Sequence, residues 1–503
     1  MPGTFRYRWS WGLAVLLCVL FQFAMPIAGD EAYFISWGKT LSGGFFDHPP
    51  LIGWVSFGLR RIESLFGLET HGLGHRLFSL ALGGVGLWLV ARRFSVVADI
   101  APVSLALIPG YLLLFNLYMV HTFLVFTVLV FVLASDGALR ARNHGWLAVL
   151  FAGLALGAML LSEYTGVLVY LGMVLGLASW PEGRRFLLSR MTVITAIAGI
   201  PFGLHVWWNL DNCNVNLSIL LRLRDLSDAT DHGLALFALG VVLMSGATII
   251  MAVPAAWRIW RNWERFGLIA RAFTGTVVVV LADLALGSGN DVILSAPLGI
   301  LAVLALCEMA AVRELKLSLV AGYVLSVLVL VPLGLLILAL HLDLIAGAVL
   351  VGDERAREAD LSMDIDNGVL VSALRPLAAG RVIASEDYAV AASFDNAGFP
   401  ETTVLSRSWG GRNQDMTTDF RALDGRDMLL VGNDPNALHA LAEAVFRSYR
   451  IVTVTTKRRD HEIILGNGFR YPVYREKWIL PVVARVYSPT VIPSRSCYMD
   501  RYR

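Results

Sequence analysis

The chain has 503 residues, 56% of them hydrophobic and only 16% charged, and its mean hydropathy is +0.64. Such values exclude an ordinary soluble globular domain and point to an integral membrane protein. A formal net charge of +2 gives nucleic acid no electrostatic claim on it, so its arginine-rich segments are read as topology signals.

Taken in chain order, the first apolar run, about residues 11 to 28, follows Arg6 and Arg8 and lacks a small-x-small cleavage site, which predicts a retained signal anchor. Stretches of bilayer-spanning length recur at about 73–91, 96–114, 118–136, 145–161, 164–180, 192–208, 233–256, 272–287, 292–311 and 318–340, about eleven spans in all. Arg92 and Arg93, Arg140 and Arg142, Arg184, Arg185 and Arg190, Arg258, Arg261, Arg265 and Arg271, and Arg313 with Lys316 fall in alternate loops, on the side of Arg6 and Arg8. That bias predicts a cytoplasmic amino terminus and, with an odd number of spans, an external segment after residue 341. In the loop 29–72, "LIGWVSFGLRRIESLFGLE" is too charged to span. It predicts an amphipathic helix, either at the membrane interface or packed on neighbouring helices. Composition turns polar near residue 352. There "RVIAS", "DMLLVGN", "RIVTVTT" and "HEIILGN" predict strands, and "PNALHALAEAVFRSY" a helix. The expected organisation is a membrane domain over 1–345 and an extracytoplasmic α/β domain over 346–503. Cys18 and Cys307 lie in apolar runs as core residues; whether Cys213 and Cys497 pair is left open.

Acidic groups gather directly after the first span. Asp30 and Glu31 stand at its end, and Asp47 and His48 sit between Gly43-Gly44 and Pro49-Pro50, which hold the loop stiff. Acids at helix ends are ordinarily solvated caps, but a rigid loop is what a site needs. Arg60, Arg61, Arg76, Arg222 and Arg224 are the basic residues the topology leaves outside, suited to phosphate, to an acidic sugar or to lipid headgroups. Glu163 is expected to pair with one of these outside arginines, and His121 and Asp283 to be packed or paired. Trp207, Trp208 and Asn209 end a span, as interfacial aromatics or as a face for sugar or lipid.

"DEAYFISWGKTLSGGFFDHPPLIGWV" resembles the first extracytoplasmic loop of the GT-C glycosyltransferases that use lipid-linked sugars. This is the branch containing the lipid A aminoarabinose transferase and the dolichyl-phosphate-mannose protein mannosyltransferases. "LGAMLLSEYTGVLVY", "PFGLHVWWNLDNCNVNL" and "SEDYAVAASFDNAGFPETTVLSRSWGGRNQDMTTDF" resemble further segments of the same family, in family order. The overall likeness is to the galacturonic acid transferases of lipid A and core sugars.

The resemblance implies a polytopic GT-C-like fold in a bacterial inner membrane. It also implies inverting transfer of a sugar, with galacturonic acid the candidate, from an undecaprenyl-type polyprenyl phosphate to lipopolysaccharide, lipid A or its core, at the periplasmic face. An acceptor hydroxyl then needs a base, for which Asp30 is the first choice; Asp47 would position the acceptor or a divalent cation. His48 stands where the aminoarabinose branch has Lys and would donate to the leaving phosphate. Glu31, Tyr33, Tyr164, Trp208 and Asn209 join Arg60, Arg61, Arg76 and Arg222 as substrate-contacting candidates. Two departures are notable: Glu163 replaces a family Lys, and Tyr33 an Arg. A protein O-mannosyltransferase acting on Ser or Thr, and a lipid-linked sugar flippase or transporter, are the alternatives. The crowding of polar groups on one face favours surface chemistry over transport.

Overall fold

The computed structural model of the protein describes residues 7–68, 71–141, 145–216, 218–219, 257, 267–285, 295–345, 353–407, 411–487 and 493–503. The predicted span at 233–256, Arg222 and Arg224 lie outside these residues.

The first apolar run forms α1 (Arg8–Ala24), which stops before Met25 and Pro26. A short second helix, α2 (Gly29–Ser36), follows and carries Asp30 and Glu31 in its first turn. The axis bends by 76° between α1 and the stretch Gly29–Lys39. The amphipathic helix α3 (Leu51–Leu65) buries Ile52, Gly53 and Ser56 against its neighbours and leaves Ile62 and Leu65 exposed, so it is packed along one face and open along the other.

Among the described residues, four helices are long and apolar enough to cross a membrane: α4 (Leu73–Arg93), a helix Val120–Arg140, a helix Pro181–Asp211 and a helix Val312–His341. The amino-terminal pair bent by 76° passes the same test only when its two helices are taken together as one span. The predicted span at 96–114 is not one helix. It is divided into α5 (Ala101–Ala106) and α6 (Pro109–Asn116), both almost wholly buried. Pro109 has no N–H to give α5 and holds Ile108 extended at ψ 122°, so the helix must restart there. The remaining helical segments are α7 (Val120–Arg140), α8 (Trp146–Ser162), α9 (Gly166–Ala178), α10 (Pro181–Asp211), α11 (Leu268–Ala285), α12 (Ser295–Glu308) and α13 (Val312–His341). Small residues bring α9 and α11 together: a Cβ on Gly176 would stand 2.7 Å from the Arg271 carbonyl carbon, so the two backbones touch where no side chain intervenes.

After α14 (Asp353–Asp366) the chain builds a five-stranded mixed sheet in the order β2-β1-β3-β5-β4, from β1 (Val382–Ser385), β2 (Thr402–Val404), β3 (Met428–Leu430), β4 (Phe446–Thr455) and β5 (Asp460–Phe469). The four predicted strands are all present. β2 is an addition, too short to show alternation, and the predicted helix ends at Val445, its last residues having joined β4.

The sheet region is fastened to the helices at several points. Helix α15 (Tyr388–Asn396) packs along α2. Lys39 pairs with Asp395, and the Asn396 side-chain amide donates to the Ala32 carbonyl at 3.0 Å. Arg458, on the β4–β5 turn, pairs with Asp364 at 3.1 Å and donates to the carbonyls of Leu340 and His341 at the end of α13. Cys213 and Cys497 form a disulfide, which settles the pairing that composition left open. Beside it, Arg495 stacks over Trp207 and its N–H donates to the Leu210 carbonyl at 2.7 Å.

Candidate active site

The break at Pro26 sets α2 across the end of α1, and the first turn of α2 presents two acids in opposite ways. Asp30 is exposed. Glu31 is buried, taking three contacts of 2.5, 2.9 and 3.1 Å from the Arg76 guanidinium and another of 2.9 Å from the Tyr118 N–H. Arg76 is 2% exposed and spends its remaining donors on the carbonyls of Met25 and Pro26, at 2.8 and 3.0 Å. Two of the expected substrate-contacting residues are thus placed inside the α1–α2 break, where they hold Asp30 in position from behind.

Asp30 accepts a hydrogen bond of 2.6 Å from the Tyr388 hydroxyl, which comes from the sheet region. Asp47 shares the same space, and its Oδ1 is buried with no hydrogen-bond partner among the described residues. Burial raises the Asp47 carboxyl from its ordinary value; His48 opposes this, and the nearby Asp30 and Glu163 carboxylates add to it. His48 lies 3.1 Å through Nδ1 from Glu163 Oε2, and His121 Nε2 lies 3.9 Å from the same oxygen. Burial alone would lower the His48 imidazole, but Glu163 and Asp47 override it and raise it to about 9. Burial acts to raise Glu163 as well, and the two histidines bring it below its usual value. The expected Glu163–arginine pair is therefore corrected: its partners are His48 and His121, because the Asp47-His48 loop folds back over the end of α8. His48 and Glu163 thus answer each other across the loop.

Tyr33 is buried edge-on against Tyr388, with ring centroids 4.7 Å apart, and its hydroxyl accepts from the Asn413 N–H at 3.2 Å. Trp208 lies across Gly43 and Gly44: a Cβ on Gly43 would stand 2.7 Å from its indole. Here a glycine pair serves close approach. Tyr164 and Asn209 meet at a residue that sequence reasoning passed over, His205. Its Nε2 is 2.6 Å from the Tyr164 hydroxyl and 3.1 Å from Asn209 Nδ2, and its Nδ1 is 2.8 Å from the Gly43 carbonyl. Asn209 in turn accepts from the Asn216 N–H at 3.2 Å, and Asn216 donates to the carbonyls of Phe45 and Phe46 at 2.7 Å. These groups clamp the loop bearing Asp47. The spacing of His205 and Asn209, one turn apart on a helix, is the signal that could have found the clamp. Arg60 and Arg61 lie on α3, with Arg61 exposed over the Phe57 ring at 5.1 Å. Among the described residues, no group of three or more His, Cys, Asp or Glu side chains stands close enough to hold a metal ion.

The arrangement offers an exposed carboxylate anchored through one oxygen, a second carboxyl beside it, and an imidazole biased toward its charged form. It can accept a proton and receive a developing anion in one small space.

Residues 47–208 match the family described as dolichyl-phosphate-mannose-protein mannosyltransferase. Among curated proteins, a lipid A galacturonosyltransferase, RgtD, of Rhizobium johnstonii is 25% identical over 190 residues, 37% of this chain. The aligned part spans 39% of that relative's length. Two crystal structures of ArnT from Cupriavidus metallidurans superpose over nearly the whole chain. The form bound to undecaprenyl phosphate has a TM-score of 0.55 at 16% identity, covering 92% of this chain and 98% of that one. The apo form has a TM-score of 0.56 at 15% identity, covering 91% and 98%. The chain is thus similar in fold to ArnT over nearly its whole length, and its residues 47–208 match the dolichyl-phosphate-mannose-protein mannosyltransferase family.

Proposed function

We propose that the protein is an inverting glycosyltransferase. It moves a sugar from a polyprenyl phosphate to a hydroxyl of lipid A or its core oligosaccharide, at the periplasmic face of a bacterial inner membrane. A membrane domain over 1–345 carries the site, and an outer α/β domain over 346–503 closes it. The observation that carries this reading is the exposed Asp30 carboxylate, held from behind by the Glu31–Arg76 pair and anchored through one oxygen.

In this reaction the acceptor oxygen attacks the anomeric carbon on the side opposite the phosphate. Its proton passes to Asp30, the carbon–oxygen bond to phosphate breaks, and polyprenyl phosphate leaves. The acceptor hydroxyl is a poor nucleophile near neutral pH, so a positioned base supplies about a hundredfold to ten-thousandfold. The departing phosphate needs positive charge rather than a proton, and His48, raised to about 9 by Glu163 and Asp47, carries such charge at neutral pH. Asp47 positions the acceptor. A uronic acid sugar would find carboxylate partners in Arg60 and Arg61. The likeness to RgtD supports the lipid A acceptor, and the ArnT complex with undecaprenyl phosphate supports the donor class. The Cys213–Cys497 disulfide supports the outer location, since such bonds persist in oxidising compartments.

The test is transfer of labelled galacturonic acid from a synthetic polyprenyl-phosphate donor to purified lipid A in detergent, comparing wild type with Asp30→Asn at equal folded protein. A loss of about a hundredfold or more is expected. Full activity of the variant would remove Asp30 as base, and label appearing on a peptide Ser or Thr instead of lipid would replace the acceptor.

A further inference from the structure

The sheet region reaches Asp30 through the side chain of Tyr388, the first residue of α15. Its hydroxyl donates to Asp30 Oδ1 at 2.6 Å. The ring that carries this hydroxyl is held on two sides. Tyr33 meets it edge-on at 4.7 Å. Gly411, at φ +63°, lies against the other side, so close that any Cβ there would collide with the ring. The backbone below the ring is also fixed, because the Asp387 side chain caps α15 by accepting from the N–H groups of Ala389 and Val390 at 2.6 and 3.3 Å.

The same elements hold the second carboxyl. Two residues beyond Gly411, Asn413 donates its N–H to the Tyr33 hydroxyl at 3.2 Å, and its Oδ1 accepts from the Phe46 N–H at 3.4 Å, immediately before Asp47. Arg412, between them, is buried on Asp415 with contacts of 2.6 and 2.9 Å. The segment 411–413 is therefore a rigid wall that grips the Tyr388 ring and the Asp47 loop together. A phenol fixed in this way cannot follow the carboxylate; the carboxylate must come to it.

We infer that Tyr388 is a positioning residue for the transfer reaction: by engaging Oδ1 it fixes the plane of the Asp30 carboxylate and leaves Oδ2 as the oxygen that takes the acceptor proton. This rests on the reading of Asp30 as the base. Tyrosine suits the task because it is a neutral donor, so it orients the carboxylate without cancelling its charge as a Lys or Arg would. Burial, with Asp30 beside it, raises the phenol above its ordinary value, so the donor proton persists at neutral pH. The sheet region is then part of the catalytic unit and not an appended domain.

The experiment compares wild type, Tyr388→Phe, Asp30→Asn and full-length protein with 3,5-difluorotyrosine at position 388, in the transfer assay with lipid A and the labelled polyprenyl-phosphate donor. Phe keeps the ring between Tyr33 and Gly411 and removes only the hydroxyl; difluorotyrosine keeps the hydroxyl. The expected result for Y388F is a kcat lower by about tenfold to a hundredfold, as for a misplaced reacting group, with KM for donor and acceptor within about twofold of wild type. Difluorotyrosine should restore the rate. An unchanged kcat in Y388F, with D30N inactive, would overturn the inference while leaving Asp30 as base. So would a raised KM with kcat intact, or a difluorotyrosine protein as slow as Y388F. Full activity in D30N would instead overturn the reading on which the inference depends. Should Y388F fail to fold, the pH profile of the difluorotyrosine protein decides: its more acidic phenol should bring the alkaline fall of kcat to lower pH than in wild type, and an alkaline limb unchanged from wild type would overturn the inference.

Discussion

The Glu31–Arg76 pair holds α2 at its angle to α1, and Glu31→Gln tests how much that costs to lose. Arg76 is 2% exposed and Glu31 4%, and the pair's contacts of 2.5 to 3.1 Å replace water almost completely. Removing one member of a buried ion pair leaves the other charge uncompensated, which costs about 3–5 kcal/mol. The lower end applies here, because Arg76 keeps the carbonyls of Met25 and Pro26 and the Gln oxygen can still accept from Tyr118. At about 1.4 kcal/mol per tenfold, and with the loss falling on the unfolding rate, the half-life of the folded protein in detergent at a fixed temperature should shorten by about a hundredfold. Fluorescence-detected size-exclusion chromatography after timed heating would measure it. The double variant Glu31→Met with Arg76→Met should lose less than Glu31→Gln alone, since it buries no orphan charge. A half-life for E31Q within about threefold of wild type would refute the reasoning, for an interaction of this burial cannot be lost so cheaply.

Two further predictions follow from fastenings elsewhere. Cys497→Ser should cost about 2–5 kcal/mol of stability, the usual loss for a native disulfide, and should abolish the mobility difference between reduced and unreduced protein on a gel; an unchanged mobility difference would deny the bond. His48, raised from 6.5 to about 9, contributes stability that is complete below about pH 6.5 and is lost as pH rises through about 9. The melting temperature in detergent should therefore fall across that window, and Glu163→Gln should flatten the fall; equal slopes in both proteins would count against the pair.

Periodicity and composition made the architecture largely legible. Apolar runs fell on helices among the described residues, four of them of spanning length, and four strand-like runs after residue 352 became β1, β3, β4 and β5. Where these signals stopped, the cause is physical. Apolar length alone cannot see that Pro109 divides 96–114 into two short helices, because hydropathy does not weigh a missing N–H. The acidic loop was readable because its Gly-Gly and Pro-Pro flanks are local. Partners brought from far along the chain were not: Glu31 meets Arg76, and Asp30 meets Tyr388, across folds that no spacing encodes. Glu163 stands out as a departure from the family pattern and His48 as a residue where the aminoarabinose branch has Lys, and neither fact foretells their 3.1 Å approach.

The link between Cys213 and Cys497 also sets an order on the making of the molecule. The two cysteines are 284 residues apart in sequence, so the whole stretch between them must be synthesised before the exit of α10 can be locked. Until then, the turn that carries Asn214 and Asn216, and through Asn216 the carbonyls of Phe45 and Phe46 beside Asp47, lacks its covalent anchor. A nascent chain therefore carries its acidic loop without this anchorage until Cys497 has been made, and completion of the loop's support waits on the segment that bears it.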